Sequence, residues 1–171
     1  MNSQSEPSTN PHGDGIDWRW EAGSQAQDFE VSRANAILRH VPAGSRVLEI
    51  GVGGGHVVSE LSRRAGCWCV GIDVLSSALC ASRERVAGAG GAARLVQGSG
   101  FALPFKDAVF DCVLSLGVIE HYPPEQARAM LREHARVCRA GGRVIVSVPK
   151  FSRPRPYGEA AMARAEVPVL A

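Results

Sequence analysis

The most specific chemistry in the sequence lies in Glu49-Ile50-Gly51-Val52-Gly53-Gly54-Gly55. Gly51, Gly53 and Gly55 permit positive φ and leave bare backbone where a ligand must come close. A helix starting near His56 would point free N–H groups and a partial positive charge at that ligand, which suits a carboxylate. Asp73 follows the next apolar run, Val70-Gly71-Ile72. A carboxylate there can accept both hydroxyls of a ribose, although the nearby Ser76 and Ser77 also allow a helix-capping role. His121, shortly after the fourth apolar run, could deprotonate a hydroxyl, its unperturbed pKa being near neutrality. The competing role for Glu120 and His121 is to orient a loop and the helix after it.

These residues need elements to hold them. Apolar runs at Arg46–Ile50, Cys67–Ile72, Arg94–Gln97, Phe110–Leu116 and Arg143–Val148 read as strands. Helical spacing appears between them, at His56–Ala65, Ser76–Val86 and Glu125–Arg139. The last has Ala127, Met130, Leu131, His134, Val137 and Cys138 near one face, with Pro123 and Pro124 at its start and Gly141-Gly142 after its end. A further helix is expected over Ser24–Val41, presenting Val31, Ala34, Ile37, Leu38 and Val41 before Pro42. This alternation predicts an α/β fold, a Rossmann-like doubly wound sheet of mainly parallel strands with helices on both faces. Ligands bind such sheets beyond the carboxyl ends of the strands, and the informative residues follow strands one to four.

The 171 residues fit one domain, and a hydrophobic fraction of 45% supplies one core. A formal net charge of +2 argues against nucleic-acid or membrane-surface binding, and no apolar run reaches membrane-spanning length. Five cysteines, an odd number, with no apolar leader segment point to free thiols in a reducing cytoplasm. Cys67-Trp68-Cys69 puts two thiols on one face of a strand. No second pair has ligand spacing, so core burial is expected rather than metal binding. Residues 1–15 read as a disordered tail, 16–149 as the folded domain and 150–171 as an irregular tail. Trp18 and Trp20 are expected to open the ordered part; Lys150, Arg153 and Arg155 read as solvated.

The glycine run does not fit the dinucleotide fingerprint, since the required third glycine falls on His56 or Val58. An acid two residues before Gly-x-Gly-x-Gly instead resembles motif I of class I S-adenosylmethionine-dependent methyltransferases. Gly98-Ser99-Gly100-Phe101-Ala102-Leu103-Pro104-Phe105 is similar to the adenine segment of type-11-like members. Ser115-Leu116-Gly117-Val118-Ile119-Glu120-His121 and Arg136-Val137-Cys138-Arg139-Ala140-Gly141-Gly142 are similar to two later segments. The resemblance runs from about Ala34 to Pro149. It implies S-adenosyl-L-methionine as cofactor and a small-molecule acceptor with an O, N or C nucleophile. It implies cofactor contacts from Glu49, Gly51, Gly53, Gly55, Asp73, Ser99, Gly100, Phe101 and Leu116, with His121 as the catalytic candidate and no metal.

Two departures stand out. Ser99 occupies the position of the usual adenine-binding acid, which costs the lost charge assistance, about 1 kcal/mol. Phe101 suits the adenine or ordinary loop packing equally. The family's usual last two strands have no counterpart after Pro149, so Arg143–Val148 is expected to be an exposed edge. That predicts a shortened chain whose edge is covered by a partner strand, from a second copy or another subunit. The alternatives are a cofactor-binding remnant or partner subunit without turnover and, more remotely, a nucleotide-dependent oxidoreductase.

Overall fold

A computed structural model describes residues 24–148, with side chains from residue 30 onward. The expectations for residues 1–15, Trp18, Trp20, Lys150, Arg153 and Arg155 lie outside the described residues. The elements run α1 (Ser24–Leu38), β1 (Arg46–Ile50), α2 (His56–Ala65), β2 (Trp68–Asp73), α3 (Ser76–Gly88), β3 (Ala93–Gln97) and β4 (Phe110–Leu116). A 3₁₀ turn (Ile119–His121), α4 (Pro124–Val137) and β5 (Cys138–Ser147) follow. The strands form one sheet in the order β3-β2-β1-β4-β5, and every pairing in it is parallel. The order reverses between β1 and β4, so their carboxyl ends diverge into the crevice where ligands bind in such folds.

Strand alternation divides the apolar residues between two faces. Val47, Cys69, Cys112, Leu114 and Leu116 pack with Ala34, Ile37, Val57, Leu61 and Leu79 under α1, α2 and α3. Leu48, Ile50, Val70, Ile72 and Val113 pack on the other side with Val137 and Leu103, under α4 and the long β3–β4 loop. Among the described residues, one helix and one loop therefore do on the second face what three helices do on the first. Cys67 and Cys69 are both buried in the first cluster, whereas Trp68 between them is half exposed at the amino end of the sheet.

Several boundaries differ from the sequence expectation. The first helix stops at Leu38, and Val31 points outward, 50% exposed. The last helix ends at Val137, so Cys138 and Arg139 belong to β5 and not to the helix. β5 thus begins before the glycine pair: Cys138 stands opposite Phe110 and Arg143 opposite Cys112, with the irregularity between them. Gly141, at φ 71°, lets the chain bulge there and rejoin the ladder. The glycine pair marks this bulge, and the helix ends without it.

Candidate functional site

The loop between β1 and α2 folds back on the neighbouring strand. Gly51 and Val52 donate their N–H groups to the Ile72 carbonyl, at 2.8 and 3.1 Å. Gly51 has φ 70° and Gly55 φ 72°, and the space beside each is filled by protein. A Cβ at Gly51 would strike the Val118 side chain. One at Gly55 would meet the Ser82 hydroxyl and lie 2.9 Å from Ser82 Cα. These two glycines therefore let the loop pack against the end of β4 and against α3. Gly55 caps α2, whose first N–H groups have no partner within the helix.

Asp73 ends β2 and is tied to this loop. Its Oδ2 accepts the Gly53 N–H at 3.0 Å and its Oδ1 accepts the Leu75 N–H at 3.0 Å. A carboxylate has about four acceptor sites, so one remains on each oxygen for two further donors. The same side chain thus sets the loop and keeps capacity for a diol.

Glu49 lies beneath the loop rather than in the open crevice. It is 2% exposed, and its Oε2 accepts the Val58 N–H of α2 at 3.2 Å. Burial raises its pKa from the ordinary 4.5 to about 8, against the lowering pull of Arg33. Its contact is with the helix that carries the loop. Arg33, in α1, pairs with Glu30 and reaches the end of β4, its Nη1 4.0 Å from where a Cβ on Gly117 would stand. Sequence spacing gave no sign of Arg33, because its meeting with Gly117 is made by the packing of α1.

The β3–β4 loop starts beside Asp73, whose carbonyl accepts the Gly98 N–H at 2.9 Å. The Ser99 hydroxyl accepts the Phe101 N–H at 3.2 Å, closing a local turn. Gly100 is buried; a Cβ there would lie 2.9 Å from Ile50 Cγ2 and 3.3 Å from Met130 Sδ. Phe101 meets the Tyr122 ring edge-on at 5.0 Å, so this loop touches the segment after β4. Further along, Glu133 accepts the Leu103 N–H at 2.8 Å. Arg136 donates to the carbonyls of Leu103 at 3.1 Å and Phe105 at 2.8 Å, to Asp107 at 2.8 Å and to Glu133. The Arg136 hydrogen bonds hold Glu133 down at about pKa 2.

At the end of β4, Leu116 turns its side chain into the core, 5% exposed, leaving its backbone at the crevice. Gly117 donates its N–H to the Ser147 carbonyl at 2.8 Å. Glu120 and His121 lie on the 3₁₀ turn, and burial raises the Glu120 pKa. Glu49, the glycine loop, Asp73, Ser99–Phe101 and Leu116 thus collect at the carboxyl ends of β1, β2, β3 and β4. His121 follows on the 3₁₀ turn after β4.

A family model described as a methyltransferase domain matches residues 47–142. The demethylmenaquinone methyltransferase of Mycobacterium marinum is 36% identical over 132 residues, covering 77% of this chain and 52% of that protein. The Corynebacterium efficiens protein of the same name is 37% identical over 132 residues, with the same two coverages. The chain therefore spans about half the length of the curated relatives it matches. Among solved structures, the YcgJ protein of Bacillus subtilis superposes with a TM-score of 0.61 at 26% identity, over 68% of this chain and 50% of that one. A Pyrococcus horikoshii protein superposes with a TM-score of 0.66 at 22% identity, over 73% and 58%, and so shares the fold.

Proposed function

The chain belongs to the methyltransferase-domain family, and from that premise we propose that it transfers a methyl group from S-adenosyl-L-methionine to a small organic acceptor in the cytoplasm. The observation that carries this reading is the double use of Asp73. One carboxylate fixes the glycine loop through Gly53 and retains an acceptor site on each oxygen for the two ribose hydroxyls. Around it, the amino end of α2 and the Arg33 guanidinium supply positive potential for the aminoacyl carboxylate. Ser99, Gly100 and Phe101 would border the adenine, with Ser99 still able to accept one more hydrogen bond.

The cofactor supplies an activated methyl group with its own leaving group, so the chain needs no nucleophile of its own. Its residues bind, orient and exclude water, holding the acceptor atom in line with the methyl group. His121 would take the acceptor's proton where that acceptor is a hydroxyl. The relatives' name makes a quinol-type ring the first acceptor to offer. A partner strand, from a second copy, would cover the β5 edge, where Val144 is 42% and Val146 37% exposed. Calorimetric titration with S-adenosylhomocysteine and NAD, followed by labelled methyl transfer to quinols and to a metabolite extract, tests the reading. Heat with the first ligand, none with NAD, and label in an extractable product are expected. A folded chain giving no heat with S-adenosylhomocysteine would overturn it.

A further inference from the structure

We propose that Glu133 and Arg136 are positioning residues that set the purine selectivity of the site, by bracing the β3–β4 loop against α4. The inference rests on the reading of Ser99–Phe101 as the adenine-binding segment.

The brace is built from one stripe of α4. Met130, Glu133 and Arg136 recur at three-residue spacing, so they share a face. Met130 lies under Gly100. Glu133 takes the Leu103 N–H, and Arg136 takes the carbonyls of Leu103 and Phe105 and the carboxylate of Asp107. The Arg136 carbonyl accepts the Ala108 N–H at 2.9 Å. The loop thus meets α4 at its ligand end, its middle and its exit. Further hydrogen bonds of the loop are local or come from β2: Ser99 to Phe101, Ala102 N–H to the Ser99 carbonyl, and Gly98 to Asp73; beside them Phe101 rests edge-on against Tyr122.

The chemistry of Arg136 suits this role. A guanidinium presents donors in a fixed fork and stays charged, so it can hold two carbonyls and two carboxylates in one plane. Glu133 completes the fork: its Oε2 accepts both from Leu103 and from Arg136 Nη2, each at 2.8 Å. Neither residue lies among those read as touching the ligand. They act through the backbone of 103–107, which carries Ser99–Phe101 at its leading end. Ser99 has a rotatable hydroxyl where a carboxylate would be, so it gives little directional force of its own. A hydroxyl both donates and accepts, so it can serve an amino group or an oxygen; selectivity then depends on where the loop backbone aims an N–H at the neighbouring ring nitrogen, an acceptor in adenine and an N–H donor in hypoxanthine.

The test compares two ligands on one protein sample. Dissociation constants are measured by calorimetry for S-adenosylhomocysteine and for S-inosylhomocysteine, which carries an oxygen where adenine has its amino group. The wild-type chain is expected to prefer the adenine form by about fivefold or more, the value of one net hydrogen bond. In Arg136→Ala the preference is expected to fall to about twofold or less, while Arg136→Lys recovers part of it. A loss of folded protein alone lowers the titrated fraction for both ligands equally, so the ratio isolates positioning from stability. Where Arg136→Ala does not fold, the isosteric Glu133→Gln carries the same test. A wild-type preference retained in the folded variants overturns the brace. Equal affinity for the two ligands in the wild type overturns it too. Failure of the wild-type chain to bind S-adenosylhomocysteine at all overturns the functional reading instead.

Discussion

Replacing Gly55 with alanine tests whether the loop is shaped by the protein or by its ligand. Two costs add. At φ 72° an L-residue pays about 1–2 kcal/mol for the left-handed conformation. The new Cβ would also lie 2.9 Å from Ser82 Cα, a backbone atom that cannot swing aside, and overpacking of this kind costs about 1–3 kcal/mol. The sum is about 2–5 kcal/mol, or a fall of about 4–20 °C in melting temperature for a chain of this size. Two other glycines calibrate it. Gly44 has the same φ with no atom within 4 Å of an added Cβ, so Gly44→Ala carries the backbone cost alone. Gly88 ends α3 without positive φ and with open space, so Gly88→Ala should gain about 0.5–1 kcal/mol. Thermal melts followed by circular dichroism should rank Gly88→Ala above wild type, then Gly44→Ala, then Gly55→Ala. Equal melting of the Gly44 and Gly55 variants would refute the claimed contact with α3.

Asp73→Asn removes the charge from the hydrogen bonds to Gly53 and Leu75 and, on the proposed function, from those to a bound ribose. At about 1.5–3 kcal/mol for bonds to a charged group, the Kd for S-adenosylhomocysteine should rise about 10–100-fold by calorimetry. On the same proposal Ser99→Asp would give the adenine a charged acceptor and should tighten the same Kd by about fivefold; unchanged or weaker binding would count against that placement. Glu49 is raised from 4.5 to about 8 when folded, so the folded chain holds the extra proton between those values. Stability should therefore decline as pH rises from about 4.5 through about 8, and Glu49→Gln should flatten that decline in urea titrations. Burial lowers the pKa of His134, which is 0% exposed, so the unfolded chain takes up the proton first. Stability is then lost as pH falls below the ordinary 6.5, and His134→Leu should remove this acid-side slope.

The sheet was legible because its strands are nearly continuous apolar runs. Arg46–Ile50 and Phe110–Leu116 fall where Val, Leu, Ile and Cys crowd together, and buried parallel strands need little else. The positions of the glycine loop and Asp73 were legible for the same local reason: the loop follows β1 directly and Asp73 ends β2. The start of β5 was not. Gly141-Gly142 resembles a helix stop, and only pairing with β4 shows that Cys138 and Arg139 are already extended. Val31 continues the helical spacing of Ala34 and Ile37, yet it lies beyond the sheet's cover and faces out. The role of the glycines was half legible. Their freedom follows from residue type, but their neighbours Val118 and Ser82 are distant in sequence. Arg33 and Arg136 were missed at the site, since a basic residue on a helix reads as solvent-facing until its long-range partners are known.

The hydrogen bond from Gly117 to the Ser147 carbonyl closes a ring in the chain. Everything between those two residues, the 3₁₀ turn, α4 and β5, leaves the crevice and returns to it at the same point. Such a closed excursion behaves like a drawer with a fixed frame. Within it the turn can change length while the two ends stay fastened, since loop closure makes modest changes in length cheap, whereas α4 stays tied to the β3–β4 loop through Glu133 and Arg136. The turn bearing His121 and Tyr122 lies inside that frame, whereas the glycine loop and Asp73 lie outside it. Under the proposed function, acceptor recognition can then vary within that turn, provided Val118 still packs on Gly51 and Tyr122 on Phe101.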